Sequence, residues 1–320
     1  MSRPAEPTLE RFGANPLLRY VAATRPAFLS VTLIGSLIGL ATAYGSGVVL
    51  DPVNAVLTVL FALVAHAGGN VINDYHDAVS GADAANRERL FPFTGGSRFI
   101  QNDVLTPAQT ARFGYGLLAL VIPAGLYLTW QSGPGLIAIG LAGLGVGWAY
   151  SAPPLKLMAR GLGELGIVAA WLLVIVGTDF VQRGHLSPVP AIAGLSYAML
   201  VANILYINQF PDHQGDAAAG KRTLVVLLGP QVAKWGYLLM AILAYAWLVG
   251  MVGTDQLPQK CAAAALTLVL SFRAGRDLLA HAEEPAELAP AIKLTIGAAN
   301  LHGLALAAAL AFARWPGVVS

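Results

Sequence analysis

Charged side chains are scarce in this sequence of 320 residues, since Asp, Glu, Lys and Arg together make up 11% of it, while 56% is hydrophobic. Soluble globular domains carry roughly 25% charged residues, so a soluble fold is excluded. A net charge of +2 is too small to indicate binding to nucleic acid. The composition therefore predicts an integral membrane protein.

Cysteine is almost absent. Cys261 is the only one, which excludes an intramolecular disulfide and a cysteine-based metal site. The chain also lacks low-complexity segments and any separable soluble region, so we expect a single membrane domain over residues 1–320. Residues 1–26 are polar and basic, unlike a cleavable signal peptide, and are expected to form a cytoplasmic N-terminal arm.

Nine apolar runs are present, each near the roughly 20 residues that span a hydrocarbon core. They cover about residues 27–47, 53–73, 109–129, 135–151, 163–182, 189–209, 231–253, 259–279 and 291–313. Barrel strands would be shorter and would alternate in polarity, and an open chain in lipid must satisfy its own backbone hydrogen bonds. The runs therefore predict an all-α membrane protein with nine transmembrane helices.

The basic residues give the orientation. Of the 19 Lys and Arg residues, all but Arg183, Lys260 and Arg314 lie in the N-terminal arm or after every second span. Basic loops stay on the cytoplasmic side, so we expect a multi-pass protein of a bacterial inner membrane with cytoplasmic cap loops at 74–108 and 210–230. These loops hold most of the polar residues of interest, which predicts chemistry on the cytoplasmic side.

Two acidic motifs occupy corresponding cytoplasmic ends of the second and sixth spans. Asn73 and Asp77 are four residues apart, and Asn208, Asp212 and Asp216 repeat the same spacing. Residues four apart on an α-helix are turned only about 40° from each other. Each motif therefore presents one stripe of oxygen atoms.

The first motif has a further acid beyond the helix. Gly81 predicts that the helix ends near Ser80 and that Asp83 folds back from the loop towards Asp77. Asp74 points to another side of the helix and is expected to support the site without binding at it.

Carboxylates and amides without cysteine or paired histidines are typical of a Mg²⁺ site, and Mg²⁺ bridges carboxylates to phosphate oxygens. Basic residues follow both motifs, and a third inner loop adds two more. The residues expected to bind the phosphates are Arg98, Lys156, Arg160, Lys221 and Arg222. Together these groups predict an anion site for a diphosphate leaving group.

Several stretches together resemble the UbiA superfamily of intramembrane prenyltransferases, in the form of the MenA-like naphthoate branch. They are "NDYHDAVSGAD", "FTGGSRFI", "YSAPPLKLMARGLGELG" and "NQFPDHQGDAAAGKRTLVVLLG", and the resemblance covers most of residues 15 to 315. It implies a nine-helix bundle with a central cavity. It also implies Mg²⁺-dependent transfer of a polyprenyl group from its diphosphate to an aromatic acceptor.

The positions that match the family motifs give the expected site. We expect the metal ligands to be Asn73, Asp77, Asp83, Asp212 and Asp216. We expect the diphosphate contacts to be Asn73, Asn208, Arg98, Lys156, Arg160, Lys221 and Arg222. Asp77, Asp212 and Lys156 are expected to be catalytic.

The acceptor is expected to be 1,4-dihydroxy-2-naphthoate, in biosynthesis of a menaquinone-type quinone. The naphthoate branch usually has Asn-Asn-x-Arg-Asp where this chain has "NQFPD", so Pro211 replaces an Arg. Another phenolic acceptor such as 4-hydroxybenzoate is therefore the alternative, and a polytopic transporter is the alternative from another class. Membrane lipid is the remaining expected partner, with no nucleic acid and no obligate protein partner.

Overall fold

In the computed structural model, residues 5–12 and 15–313 are described, so Arg3 and Arg314 of the predicted orientation lie outside the described residues. Within these ranges the regular structure is entirely helical. Seven helices are long and apolar enough to cross a membrane. They are Pro26–Gly45 (the 3₁₀ turn Pro26–Leu29 and α3, Ser30–Gly45), α4 (Pro52–Ser80), α6 (Pro107–Ser132), α8 (Gly163–Arg183), α9 (Val189–Ala218), α11 (Pro230–Gly253) and α13 (Ala289–Ala311).

Shorter helices complete the described chain. They are α1 (Leu9–Phe12), α2 (Pro16–Ala23), α5 (Ala82–Ala85), α7 (Gly135–Ser151), α10 (Leu224–Leu228) and α12 (Leu268–His281), with 3₁₀ segments Leu157–Arg160, Gln259–Thr267 and Pro285–Glu287. The all-α membrane fold is thus confirmed.

The count of nine spanning helices is not confirmed. The fourth predicted span is α7, whose 17 residues extend about 26 Å at 1.5 Å per residue, a little less than a hydrocarbon core. Pro134 precedes it and Pro153 follows it, and both limit its length because proline interrupts helical hydrogen bonding. The eighth predicted span is divided between the 3₁₀ segment Gln259–Thr267 and α12.

The helices that carry the acidic motifs extend further than the predicted loop boundaries. Helix α4 continues to Ser80 and α9 to Ala218, so the cap loops begin after these residues and not at 74 and 210. The predicted helix end near Ser80 is confirmed, since Gly81 adopts φ 82° there. Both motifs are therefore held on rigid helix.

Helix α9 is the most buried of the seven, since 72% of its most apolar 18-residue stretch is buried inside the protein. It packs against α3, α8, α11 and α13. Three of its polar side chains satisfy backbone carbonyls of neighbouring helices: Tyr197 donates to Val31 at 2.7 Å, Asn203 to Tyr237 at 3.0 Å and Tyr206 to Ala233 at 2.7 Å. Buried polar groups are costly unless they are paired, so these bonds fix the position of α9 among its neighbours.

Candidate functional site

The C-terminal ends of α4 and α9 meet around a polar pocket of about 110 Å³. Seven residues that the sequence analysis assigned to the site line it: Asn73, Asp77, Asp83, Asn208, Asp212, Asp216 and Lys221. The first motif, its downstream acid and the second motif, which are far apart in sequence, are thus brought together in one place.

The first motif owes its geometry to a sharp helix end. Asn73 and Asp77 lie one turn apart on α4, and Gly81 then takes the left-handed conformation that L residues disfavour. The chain restarts as α5, which turns Asp83 back to the pocket, where it is buried. The predicted approach of Asp83 to Asp77 is therefore present.

The second motif is positioned by two glycines. A Cβ added to Gly215 would lie 2.8 Å from the Cα of Asn86, so this glycine permits close packing of α9 against the first cap loop. Gly220, with φ 75°, reverses the chain after α9. The backbone N–H of Lys221 then donates to the carbonyl of Asp216 at 2.9 Å.

The ammonium group of Lys221 joins the two motifs. Its Nζ lies 2.6 Å from Oδ1 of Asp77 and 3.3 Å from Oδ1 of Asp216, and the residue is buried. Burial alone would lower the pKa of Lys221, but the charges of Asp77 and Asp216 outweigh that effect and raise the pKa above its ordinary value. Lys221 therefore stays charged and holds the two carboxylates together.

The environment of Asp83, unlike that of Lys221, disfavours the charged form of its side chain. Burial, together with the charges of Asp77 and Asp74, raises the pKa of its carboxyl group to about 8, although Lys221 opposes the shift. A Cβ on Gly96, which has φ 72°, would lie 2.5 Å from Oδ2 of Asp83. The cap loop thus closes directly over this carboxyl group, as only glycine allows.

Asp212 is oriented by the first cap loop. Its Oδ1 accepts a hydrogen bond from the Asn86 side chain at 2.5 Å, and its Oδ2 accepts one from the backbone N–H of Gly95 at 3.3 Å. Two residues further on, the N–H of Ser97 donates to Oδ1 of Asp74 at 3.2 Å, which agrees with the supporting role expected for Asp74. Sequence reasoning did not single out Asn86 for the site, because contacts between a loop and a distant helix leave no periodic pattern.

Four predicted phosphate-binding residues are not on the pocket wall. Arg98 is buried, but its guanidinium donates to the backbone carbonyl of Asp83 at 2.5 Å. Lys156, Arg160 and Arg222 are exposed, and Arg160 donates to the carbonyl of Pro154 at 2.8 Å. Because every inner loop of a membrane protein is enriched in basic residues, charge alone does not predict which side chains turn inward.

The residues that line the pocket without having been predicted for the site include Arg25, Tyr150 and Gln209. Arg25 directly precedes the first spanning helix and donates to the carbonyl of Phe93 at 3.2 Å. Gln209 bonds the buried carboxylate of Glu164 and accepts from the N–H of Val225 at 3.3 Å. Tyr150 and Gln209 stand inside quoted motifs, whereas Arg25 is hidden among the other basic residues of the arm.

The donor set suits a magnesium ion that is bound together with phosphate. Carboxylate and amide oxygens surround the pocket, and Oδ1 of Asn208 is buried without a hydrogen-bond partner. Among the described residues, no three Asp, Glu, His or Cys side chains form a group that could hold one ion by themselves. Mg²⁺ commonly uses one or two carboxylates, several waters and substrate phosphates, so the residues fit such an ion.

Comparisons with known proteins identify the family of this chain. The model of the UbiA prenyltransferase family matches residues 32–313. The 1,4-dihydroxy-2-naphthoate octaprenyltransferase of Mycobacterium tuberculosis is 30% identical over 267 residues, which are 81% of this chain and 86% of that protein. The UbiA prenyltransferase domain-containing protein 1 of Xenopus tropicalis is 28% identical over 295 residues, or 91% of this chain and 82% of that protein.

Solved structures share the fold. A UbiA homolog from Aeropyrum pernix K1 has a TM-score of 0.64 at 16% identity, covering 86% of this chain and 96% of its own. A UbiA homolog from Archaeoglobus fulgidus bound to DMAPP and Mg²⁺ has a TM-score of 0.60 at 15% identity, covering 91% of this chain and 99% of its own. At such identities the likeness concerns the fold alone.

Proposed function

The chain belongs to the UbiA prenyltransferase family and is a multi-pass membrane prenyltransferase; from this premise we propose that it transfers a polyprenyl group from its diphosphate to an aromatic acceptor, with Mg²⁺ as cofactor. The proposed acceptor is 1,4-dihydroxy-2-naphthoate, which the name of the Mycobacterium tuberculosis relative contains. The Archaeoglobus fulgidus homolog bound to DMAPP and Mg²⁺ supports the donor class and the ion.

The convergence of the two acidic motifs carries the proposal. Asp77 on α4 and Asp216 on α9 both lie within 3.3 Å of the same Lys221 ammonium. Acids clustered this closely in a membrane protein are expensive unless cations compensate them. A pocket of this kind is suited to a diphosphate that arrives with metal ions.

The proposed metal ligands are Asn73, Asp77, Asp83, Asp212 and Asp216, and the proposed diphosphate contacts in the pocket wall are Asn73, Asn208 and Lys221. When bound, Mg²⁺ would neutralise the negative charge that develops on the departing diphosphate. Lys221 supplies a fixed positive charge for the same oxygens without any reorganisation of solvent. Asn208 would donate its amide hydrogens to phosphate oxygens.

Arg98, Lys156, Arg160 and Arg222 remain proposed diphosphate contacts, although they lie outside the pocket wall. Their charge would attract the diphosphate, but direct contact requires their side chains to turn towards the pocket. For Lys156, which the sequence suggested as catalytic, that movement would start from an exposed position after α7. Arg25 and Lys221 are the Lys and Arg residues that line the pocket in the described chain.

The remaining side chains of the pocket protect the reacting carbon. Cleavage of an allylic carbon–oxygen bond leaves a cation that water would capture, so the site must exclude water. Phe93, Tyr150, Met158 and Leu205 form an apolar part of the wall, and the π-face of an aromatic ring attracts positive charge. Bond formation to the acceptor ring must then be followed by loss of a proton or of carbon dioxide from that ring.

The pocket is smaller than the roughly 300 Å³ of typical ligand sites, and we assign it to the polar head of the donor. The prenyl chain would then extend between the helices, where it stays in an apolar environment. We place this polar end on the cytoplasmic side of the membrane because the basic loops lie at the same end as the acidic motifs.

A second acceptor class is retained because of Pro211. It is buried within α9 at the position where the naphthoate branch usually has an Arg, so a guanidinium near the second motif is missing. Arg25 enters the pocket from another element and could supply that charge. A hydroxybenzoate acceptor is consistent with the same geometry.

The direct test is to incubate the purified protein with Mg²⁺, a polyprenyl diphosphate and a panel of acceptors that includes 1,4-dihydroxy-2-naphthoate and 4-hydroxybenzoate. We expect diphosphate release and one prenylated acceptor, and we expect chelation of Mg²⁺ to stop both. Asp77→Asn should lose this activity. Glu287→Gln, which alters an exposed carboxylate, is the matched control and should keep it. Absence of product with every acceptor would refute the proposed reaction.

A further inference from the structure

One carboxylate of the N-terminal arm, that of Glu6, makes several polar contacts with the first cap loop. Its Oε1 accepts from Nε of Arg89 at 2.8 Å and lies 2.7 Å from Nη2 of the same residue. Its Oε2 accepts from the side chain of Asn102 at 3.2 Å and lies 3.8 Å from Nε of Arg98. Asn102 also donates to the carbonyl of Pro7 at 3.0 Å.

The arm adds an apolar contact beside this ion pair. The rings of Phe12 and Phe99 are 5.3 Å apart between centroids. Phe12 packs on a small buried cluster that includes Phe99, Val104 and Leu105, at the end of the same loop. Glu6 is therefore held in a defined position and is not a freely moving surface acid.

The partners of Glu6 reach both acidic motifs. Nη1 of Arg89 donates to the backbone carbonyl of Asn86 at 2.9 Å, and the Asn86 side chain donates to Asp212. Arg98 donates to the backbone carbonyl of Asp83. One carboxylate in the arm thus contacts two arginines, and each arginine donates to a residue that touches or belongs to the proposed metal site.

The positive charges of Arg89 and Arg98 repel each other, and the carboxylate of Glu6 compensates them. Arg89 and Arg98 lie near each other, and Arg89 is among the causes that lower the pKa of Arg98, after burial. Glu6 compensates this repulsion, and the pKa of Glu6 is lowered because the hydrogen bonds from Asn102 and Arg89 outweigh the effect of its burial. Without Glu6, the two guanidiniums would separate and the loop between them would lose its fixed shape.

From these contacts we propose that Glu6 is a positioning residue: by holding Arg89 and Arg98, it fixes the first cap loop on Asp212 and Asp83 and so sets the affinity for the diphosphate of the donor. The inference rests on the proposed function for the identity of that ligand. Glu6 itself does not line the pocket. The arm therefore acts through the loop, without contact to the substrate.

The first experiment measures loop order without any turnover. We expect amide hydrogen exchange of Gly95 and Ser97, whose N–H groups donate to Asp212 and Asp74, to become about tenfold faster in Glu6→Ala, since local opening controls exchange. Glu6→Gln keeps the size of the side chain and loses its charge, so it should show a smaller increase. Glu10→Gln, at an exposed acid of the same arm, should match the wild type.

The second experiment separates binding from chemistry. Glu6→Ala should raise the half-saturating concentration of polyprenyl diphosphate about tenfold, which corresponds to about 1.4 kcal/mol, and leave that of the acceptor unchanged. Binding of inorganic diphosphate with Mg²⁺, followed by calorimetry, should weaken by the same factor. A purely structural role would lower the amount of folded protein without this selective change.

The outcomes distinguish the two proposals. Unchanged exchange at Gly95 and Ser97, or unchanged diphosphate affinity in folded Glu6→Ala, overturns the role of Glu6, whatever the enzyme does. Faster exchange and weaker diphosphate binding support the role of Glu6 even if no acceptor is prenylated. Absence of prenylation would count against the proposed function alone. If the half-saturating concentrations of donor and acceptor rise equally in Glu6→Ala, the role of Glu6 is also refuted.

Discussion

Replacement of Lys221 by methionine tests the electrostatic centre of the site. Methionine keeps most of the length of the side chain and removes its charge, so Asp77 and Asp216 lose the ammonium that lies 2.6 and 3.3 Å from their oxygens. At 2.6 Å and an effective dielectric constant of about 20, one such attraction is about 6 kcal/mol before desolvation. Desolvation of the buried ammonium offsets much of this attraction.

The net loss should be close to that for breaking other buried ion pairs, about 3 kcal/mol. A change of 1 kcal/mol moves the melting temperature of a chain of a few hundred residues by roughly 3 °C. We therefore expect Lys221→Met to melt about 9 °C below the wild type in metal-free buffer. Asp77 and Asp216, which lose their shared counter-charge and repel each other, provide the physical cause.

Mg²⁺ should restore much of this loss in the variant. An ion that binds only the folded protein stabilises it by about 2.7 kcal/mol at 100 times its dissociation constant, and in Lys221→Met no ammonium competes for Asp77 and Asp216. In the wild type, Mg²⁺ alone should have a smaller effect because Lys221 already compensates these carboxylates. Adding inorganic diphosphate should increase the response of the wild type more than that of the variant.

The assay is thermal unfolding in detergent followed by tryptophan fluorescence, with and without Mg²⁺ and diphosphate. Lys234→Met is the matched control, since Lys234 bonds Gln231 and the carbonyl of Leu279 away from the pocket. Equal melting temperatures of Lys221→Met and wild type without metal, or equal stabilisation of both by Mg²⁺ alone, would refute the reasoning.

Further variants test individual contacts of the proposed site. Asp77→Ala should abolish prenyl transfer while the protein still folds, and activity close to wild type, measured by diphosphate release, would show that this carboxylate is not needed. Asn86→Ala should lower kcat about 10- to 100-fold, as for other residues that orient metal ligands; an unchanged kcat would contradict the role of its bond to Asp212. Gly96→Ala should inactivate, because its Cβ would lie 2.5 Å from Asp83, whereas Gly116→Ala, with open space around it, should remain active. Arg160→Gln should change the half-saturating diphosphate concentration less than Lys221→Met does, and the reverse order would show that Arg160 turns inward during binding.

The sequence predicted those features that follow from local chemistry. Apolar runs predicted the positions of the helices, and the four-residue spacing predicted that Asn73 and Asp77 share one face of α4. Gly81 predicted the helix end, because a left-handed residue there is favourable only for glycine. Each of these inferences needs only neighbouring residues and a known helical period.

Other features of the site depend on contacts between distant segments. Nothing near Asn86 in the sequence indicates that its amide reaches Asp212, and nothing near Glu6 indicates its bonds to Arg89. The sequence also does not indicate the direction in which a basic side chain points, since Arg25 lines the pocket while Arg222 is exposed. Both residues lie in segments that the sequence analysis expected to be enriched in positive charge.

Under the proposed function, the arrangement of the acids suggests that Mg²⁺ and the donor bind together. In the described part of the chain, no three acidic, histidine or cysteine side chains form a ready group for one ion, and Lys221 already joins Asp77 and Asp216. A diphosphate would attract the ammonium towards its own oxygens and at the same time supply ligands that the protein lacks. Metal and donor should therefore bind together, so that the enzyme does not hold a divalent ion in the membrane without its substrate. Calorimetric titration of Mg²⁺ with and without inorganic diphosphate measures this coupling directly, and equal Mg²⁺ affinity in both titrations would contradict it.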